Sequence, residues 1–152
     1  MKKSKLLNLY ERVNPSIRTS FKEQSKVNLM ILEKKFNFDM SFFKNKSVLD
    51  IASGIGDNAI NFAINGAKVT MLDFNINSLN YAKKVFKKRK IKNCDFIMGD
   101  FFRLSKKLNK KYDFINCTGA LHHFNKSNKY SLEEIFRLLK KNGYLFISVG
   151  TN

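Results

Sequence analysis

The chain has 152 residues, of which 43% are hydrophobic and 13% aromatic, and its net charge is +17. This length indicates one domain with a substantial core, and the hydrophobic content excludes a disordered chain. No apolar run approaches the roughly 20 residues of a membrane-spanning helix, and the basic opening lacks the apolar segment of a signal peptide. Cys94 and Cys117 are isolated in sequence, so a cytoplasmic protein without a metal is expected.

The basic charge has two interpretations. Only five of the 29 basic residues are arginines, and asparagine is also abundant. This bias is typical of a chain encoded by an AT-rich genome. A nucleic-acid surface normally uses more arginine, because the planar guanidinium binds phosphate through two hydrogen bonds. Compositional bias is therefore favoured, and a functional basic face is the alternative.

The N-terminal part, residues 1–45, predicts a helical extension. Asn14 followed by Pro15 is typical of a helix start, and apolar residues recur at helical spacing from residue 16 to about 36. We expect this extension to pack on the domain or over its ligand cleft. A connector from residue 38 to 46 leads into the main domain, residues 46–152.

From residue 47 onward, strands alternate with helices. The strands are predicted at 47–52, 68–72, 95–98, 112–117 and 144–149, and the helices at 57–65, 76–90 and 131–139. The pairs Asn65-Gly66 and Asn142-Gly143 are predicted to end the first and last helices, because glycine suits a left-handed C-cap. The alternation predicts an α/β fold with a doubly wound, mostly parallel sheet and helices on both faces.

The end of the first strand carries a turn suited to a nucleotide-type cofactor. Asp50 precedes a run of small residues in which Gly54 and Gly56 lack a Cβ, so the backbone can approach a ligand there. Asp57 and Asn58 follow, and their short polar side chains are expected to cap the next helix.

The next three strands also end in polar residues, which a parallel sheet brings to one edge. A carboxylate at Asp73 can accept hydrogen bonds from both hydroxyls of a ribose. The next acid, Asp100, is followed by Phe101 and Phe102. Its carboxylate can accept a hydrogen bond from the amine of an adenine, and an aromatic ring can lie against the base. Each acid could instead cap a helix, and one of the two phenylalanines is expected in the core. The fourth strand ends in residues 116–119.

Two histidines, His122 and His123, follow the fourth strand. Either could serve as a general base near a substrate, and a structural histidine bonded to the backbone is the alternative. Cys117 is expected to be a small buried residue beside the cleft.

Together these motifs resemble those of the class I S-adenosylmethionine-dependent methyltransferases, which are seven-stranded and Rossmann-like. VLDIASGIG resembles the first motif, MLDFN the ribose-binding acid, GDF the adenine-binding motif, INCTGALHHF the fourth motif, and LLKKNGYLFIS the segment leading into the fifth strand. The resemblance covers about residues 46–150 in the correct order. A glycine turn after a strand also serves NAD and flavin sites, which are the alternative.

The resemblance implies a cofactor site for S-adenosylmethionine. Its residues would be Asp50, Ala52, Ser53, Gly54, Gly56, Asp73, Phe74, Asp100, Phe101 and Cys117. The two glycines would lie against the amino-acid portion and the ribose, and Asp50 would help position the turn and the methionine ammonium. Asp73 would hold the ribose hydroxyls, and Asp100 with Phe101 would meet the adenine.

Two departures from the family pattern stand out. The usual first glycine of the turn is Ala52 here. The sequence given also ends at Asn152, whereas the family continues through a helix and an antiparallel hairpin, so a sheet without strands six and seven is expected. The sheet edge left exposed is expected to favour a homodimer or low stability.

The resemblance implies transfer of a methyl group to an O, N or C atom of a small-molecule acceptor, admitted beneath the N-terminal extension beside the two histidines. An RNA or protein methyltransferase using the basic surface is one alternative, and a non-catalytic cofactor-binding subunit is another. The fourth strand lacks an Asn-Pro-Pro-Tyr type signature, which argues against methylation of base amines in nucleic acids. No membrane partner is expected.

Overall fold

The computed structural model describes residues 26, 28–100, 104, 108–120 and 128–148, and it describes the side chains of all of these except 128–131. Within these residues the strands of the sheet are β1 Ser47–Ile51, β2 Lys68–Asp73, β3 Cys94–Met98, β4 Tyr112–Thr118 and β5 Leu139–Ser148. The α-helices that connect them are α1 Asp57–Ile64, α2 Ile76–Lys88 and α3 Asn128–Leu138.

The sheet has the strand order β3-β2-β1-β4-β5, and every neighbouring pair is parallel. This confirms the predicted α/β fold with a doubly wound sheet. The chain runs outward from β1 to β3 and then returns to the other side of β1 with β4. The order therefore reverses between β1 and β4, where Asp50 and Asn116 are register partners. Ligands of such sheets bind beyond the strand ends at this reversal.

Two hydrophobic clusters cover the two faces of the sheet. The first packs α1 and α2 on the sheet through residues such as Phe62 and Phe86. The second places α3 on the opposite face through Ile135 and Leu138. Both faces are covered, so side chains pointing either way from the central strands are buried. The four buried residues of β1, Val48–Ile51, are accordingly apolar except for Asp50.

The described part of the N-terminal extension packs on the first face. A π-helical turn at Ile31–Lys35 and a short 3₁₀ helix at Met40–Phe43 precede β1. Leu32 and Phe43 are buried in the first cluster, and the Phe43 ring lies 5.0 Å from that of Phe114. The predicted helix start at Asn14 lies outside the described residues.

The ends of the helices confirm one predicted cap and correct another. Asn65 and Gly66 end α1 as predicted, since the Gly66 N–H donates to Ala63 O and the Ala67 N–H to Phe62 O, a Schellman pattern. At its start the N-cap is Gly56 in the left-handed conformation, which has no side chain to cap the helix. Asp57 opens α1 as predicted, but it is the first helical residue and not the N-cap, and the Asn58 amide bonds Asn28 and Thr118 instead.

The prediction that Asn142-Gly143 ends the last helix is also wrong. Helix α3 ends at Leu138, and Leu139 already pairs with Tyr112 in the sheet. The register then shifts so that Tyr144 pairs with Phe114. A Cβ on Gly143 would stand 3.1 Å from the Asp113 carbonyl oxygen, so this glycine permits a close approach of β5 to β4.

In the described part of the chain β3 and β5 form the two edges of the sheet. Pairing of the β5 edge with a second copy stays a prediction. None of the described helices combines the length and the apolar character needed to span a bilayer.

Candidate cofactor site

The turn after β1 is built from three residues with positive φ: Ala52 at 53°, Gly54 at 53° and Gly56 at 87°. It is fixed to β2 by the Ser53 N–H, which donates to Leu72 O at 3.2 Å, and it closes on itself through the Gly56 N–H and Ser53 O at 2.9 Å. Three left-handed residues in five turn the chain sharply from the strand into α1.

The two glycines serve different purposes. A Cβ on Gly54 would meet nothing within 4 Å, so the backbone there is open to a ligand. A Cβ on Gly56 would stand 2.9 Å from Met71 Cε and 3.1 Å from Phe86 Cε2. Gly56 therefore lets the start of α1 sit close on the core, whereas Gly54 leaves room at the rim.

Ala52 adopts a left-handed conformation that a glycine would take without strain. A left-handed conformation costs a residue with a Cβ about 1–2 kcal/mol. Hydrogen bonds from the Ser53 and Gly56 N–H groups fix the turn, so Ala52 keeps this conformation despite the cost.

Asp73, at the end of β2, lies directly beside the turn. Its Oδ2 accepts from the Gly54 N–H at 2.7 Å and its Oδ1 from the Asn75 N–H at 2.8 Å. Burial raises the pKa of this carboxyl, and the backbone N–H groups of Asn75, Gly54 and Phe74 oppose that rise. The carboxylate thus holds the turn in place. Its contact with a ribose stays a prediction.

Asp50 lies at the end of β1 with only 1% of its surface exposed. Its Oδ1 accepts from Asn116 Nδ2 at 2.6 Å, and its Oδ2 has no hydrogen-bond partner among the described residues. Burial raises the pKa of Asp50 to about 7. The Asn116 hydrogen bond and the Ala59 backbone N–H lower it, and the nearby charge of Asp73 raises it. A buried carboxylate oxygen without a partner is costly, and a cationic ligand group would remove that cost.

Asn116 begins a chain of hydrogen-bonded polar side chains that was not predicted from the sequence. Asn116 Nδ2 also lies 3.4 Å from Thr118 Oγ1, which accepts from Asn58 Nδ2 at 2.9 Å. Asn58 Oδ1 in turn accepts from Asn28 Nδ2 at 3.4 Å. The chain runs from the N-terminal extension across α1 and β4 to Asp50. The only signal in the sequence was the placement of polar residues at the ends of buried strands.

The other predicted cofactor-binding residues differ in how far they are exposed. The Ser53 Oγ is buried at the turn without a hydrogen-bond partner in the described part of the chain. Phe74 is 37% exposed just after Asp73. Asp100 is exposed beyond β3, whose end is joined to β2 by the Gly99 N–H donating to Asp73 O at 3.0 Å.

Cys117 has no exposed surface and belongs to the second cluster. This agrees with its expected burial, but its thiol offers no surface to a cofactor. Burial raises its pKa to about 12, so it stays a neutral thiol. Phe101, Phe102, His122 and His123 lie outside the described residues.

The residues at this rim fit S-adenosylmethionine. An unpaired buried Asp50 oxygen suits an ammonium, and open space at Gly54 admits a group against the backbone. Asp73 and the exposed Phe74 follow at the end of the neighbouring strand β2, on the same edge of the sheet. Among the described residues no three His, Cys, Asp or Glu side chains cluster as a metal site.

A scan against family models matches residues 42–151 to a methyltransferase domain. The chain belongs to this methyltransferase-domain family. The match confirms the methyltransferase class that the motifs resemble and supports S-adenosylmethionine as the cofactor.

Similar proteins share this fold. An uncharacterised protein of Rickettsia prowazekii (strain Madrid E), RP028, is 29% identical over 126 residues, which cover 81% of this chain and 50% of that protein. The crystal structure of YcgJ from Bacillus subtilis has a TM-score of 0.61 and 25% identity, and covers 68% of this chain and 43% of that one. Coclaurine N-methyltransferase, solved with N-methylheliamine and SAH, has a TM-score of 0.69 and 20% identity over 81% of this chain and 35% of that one. The chain spans about half the length of the curated relative it matches.

Proposed function

We propose that the chain binds S-adenosylmethionine at the ends of β1 and β2 and transfers its methyl group to a small-molecule acceptor. The observation that carries this proposal is the meeting of two buried carboxylates, Asp50 and Asp73, at an open glycine turn where the strand order reverses. Two carboxylates this deeply buried are expensive to keep ionised unless a ligand offers them donors or positive charge.

Each carboxylate has a separate task in this proposal. Asp50 pairs with the ammonium of the amino-acid end, and Asp73 fixes the turn through Gly54 while it accepts from the ribose hydroxyls. When bound, the cofactor supplies a methyl group already made electrophilic by its sulfonium. The protein then needs mainly to align the acceptor atom, and such alignment can supply about 7–11 kcal/mol in favourable cases.

The acceptor is proposed to be a small molecule whose O, N or C atom receives the methyl group. Coclaurine N-methyltransferase, which shares the fold, was solved with the small molecule N-methylheliamine. Asp50 and Asn116 are buried at the centre of the sheet, where the strand order reverses. A small acceptor can reach such a central position more easily than a macromolecule can. An RNA or protein acceptor, bound through the basic surface, is the alternative.

Calorimetry with S-adenosylhomocysteine tests the cofactor site. We expect wild type to bind and Asp73→Ala to lose about a hundredfold in affinity, because two charge-assisted hydrogen bonds are removed. Asp113→Ala is the matched control, because Asp113 bonds Ser47 and Lys140 at the opposite end of the strands. Equal affinities of wild type and Asp73→Ala would contradict the ribose assignment.

Transfer of label tests the acceptor class. The protein is incubated with methyl-labelled S-adenosylmethionine and a cell extract separated into metabolite, RNA and protein fractions. Label in the metabolites supports the proposal, and label confined to RNA or protein would contradict it.

A further inference from the structure

The hydrogen-bond chain at the strand reversal has a fixed direction. An ionised Asp50 can only accept, so Asn116 must present its amide N–H₂ to it, as the 2.6 Å contact shows. The same nitrogen faces Thr118 Oγ1 at 3.4 Å. The Asn58 Oδ1 accepts from Asn28, which turns the Asn58 Nδ2 toward Thr118. This nitrogen donates to Thr118 Oγ1 at 2.9 Å.

Thr118 therefore receives two N–H groups and must donate elsewhere. A hydroxyl has two acceptor sites and one proton, and both acceptor sites are taken. The structure shows no acceptor for the Thr118 O–H among the described residues. Thr118 is half-buried at the end of β4, and a Cβ on the adjacent Gly119 would meet nothing within 4 Å. The unused proton is thus available at the rim, beside open space.

The position of this donor relative to Asp50 selects the ligand group. Thr118 Oγ1 and Asp50 Oδ1 contact the same Asn116 nitrogen, so they lie within a few ångströms of each other. One is a donor and the other an anionic acceptor. An amino-acid head group carries a carboxylate and an ammonium on a single carbon, which matches a donor and an anionic acceptor that lie side by side.

We propose that the Thr118 hydroxyl binds the carboxylate of the amino-acid end of S-adenosylmethionine, while Asp50 binds the ammonium and Asn116 orients both residues. This rests on the proposed function, because it assigns a further contact within the same site. Asn116 and Asn58 are positioning residues, and Thr118 is a binding residue.

The test compares two ligands on two variants by calorimetry. The ligands are S-adenosylhomocysteine and its decarboxylated analogue, which keeps the amine. Thr118→Val should bind S-adenosylhomocysteine about tenfold more weakly than wild type, because a hydrogen bond to a charged group is lost. It should bind the decarboxylated analogue as wild type does. Thr118→Ser, which keeps the hydroxyl, should bind both ligands as wild type does.

Thr70→Val is the matched control, because Thr70 is buried in β2 away from the rim. Thermal melting shows whether each variant is folded. Equal weakening of both ligands by Thr118→Val, or no weakening of either, would overturn the assignment of Thr118 alone. If wild type bound neither ligand, the proposed cofactor site itself would be wrong, and the Thr118 assignment would fall with it.

Discussion

The buried Asp50 carboxyl predicts a pH-dependent affinity for the cofactor. Burial raises its pKa to about 7 in the free protein, with the Asn116 hydrogen bond opposing the rise and the charge of Asp73 adding to it. The ammonium of S-adenosylhomocysteine pairs only with the ionised form. Affinity should therefore rise with pH and level off above about 7, since binding below that pH must first remove a proton.

The size of the effect follows from the pKa. At pH 6 a carboxyl with a pKa of about 7 is about nine-tenths protonated, so affinity should be about tenfold lower than at the plateau, or about 1.4 kcal/mol. Calorimetry between pH 5.5 and 8 measures this directly. Binding at pH 6 should also release a proton, which appears as a dependence of the measured enthalpy on the ionisation enthalpy of the buffer.

Three variants isolate the group responsible. Asp50→Asn cannot titrate, so its affinity should be weak and independent of pH. Asp113→Asn should keep the wild-type profile, because hydrogen bonds from Ser47 and Lys140 outweigh partial burial and lower the Asp113 pKa to about 2. Cys117, in β4 beside Asp50, is neutral throughout this range. His122→Gln with His123→Gln removes the two groups that ordinarily titrate near pH 6.5. A flat wild-type profile, or a slope that disappears with the histidines, would refute the reasoning.

The same raised pKa predicts the opposite trend for the free protein. The raised pKa of the Asp50 carboxyl contributes a stability that is fully present below the ordinary carboxyl pKa of 3.8. This contribution is lost as pH rises to about 7. Cofactor affinity and the stability of the unliganded protein should therefore change in opposite directions across this range.

Two further predictions concern the turn. Ala52→Gly should stabilise the protein by about 0.5–1 kcal/mol, because relief of left-handed strain exceeds the added freedom of the unfolded chain. The control is Ala82→Gly within α2, which should destabilise the protein by about 1 kcal/mol. Thermal melting measures both changes. Gly54→Ala and Gly56→Ala impose similar backbone strain, but only Gly56→Ala also crowds the core, so it should lower the melting temperature more, while Gly54→Ala should lose more cofactor affinity relative to its stability. The reverse ranking would contradict the roles assigned to the two glycines.

The sequence predicted the fold because its signals are local. Apolar strand segments alternate with amphipathic helices, and right-handed crossovers leave few arrangements of a parallel sheet. Asn65-Gly66 ended α1 as predicted because a Schellman motif depends on neighbouring residues. Asn142-Gly143 has the same local pattern, but β5 begins earlier because Leu139 pairs with Tyr112 across the sheet.

The site was predicted as a set of positions rather than as a set of contacts. Asp50, Gly54 and Asp73 were placed at one rim because parallel strands bring their ends together. The hydrogen bond from Asn58 to Thr118 joins residues 60 positions apart. No local sequence pattern shows whether Asn58 makes this bond or caps the helix. Whether Cys117 faces the cleft or the core likewise depends on α3, which covers that face of the sheet.

A crystal structure of the complex with S-adenosylhomocysteine tests the central claim most directly. The account predicts the ammonium against Asp50, the ribose against Asp73, and the ligand backbone passing over Gly54 at the end of β1. A ligand bound elsewhere, or bound at this rim with neither carboxylate in contact, would contradict it.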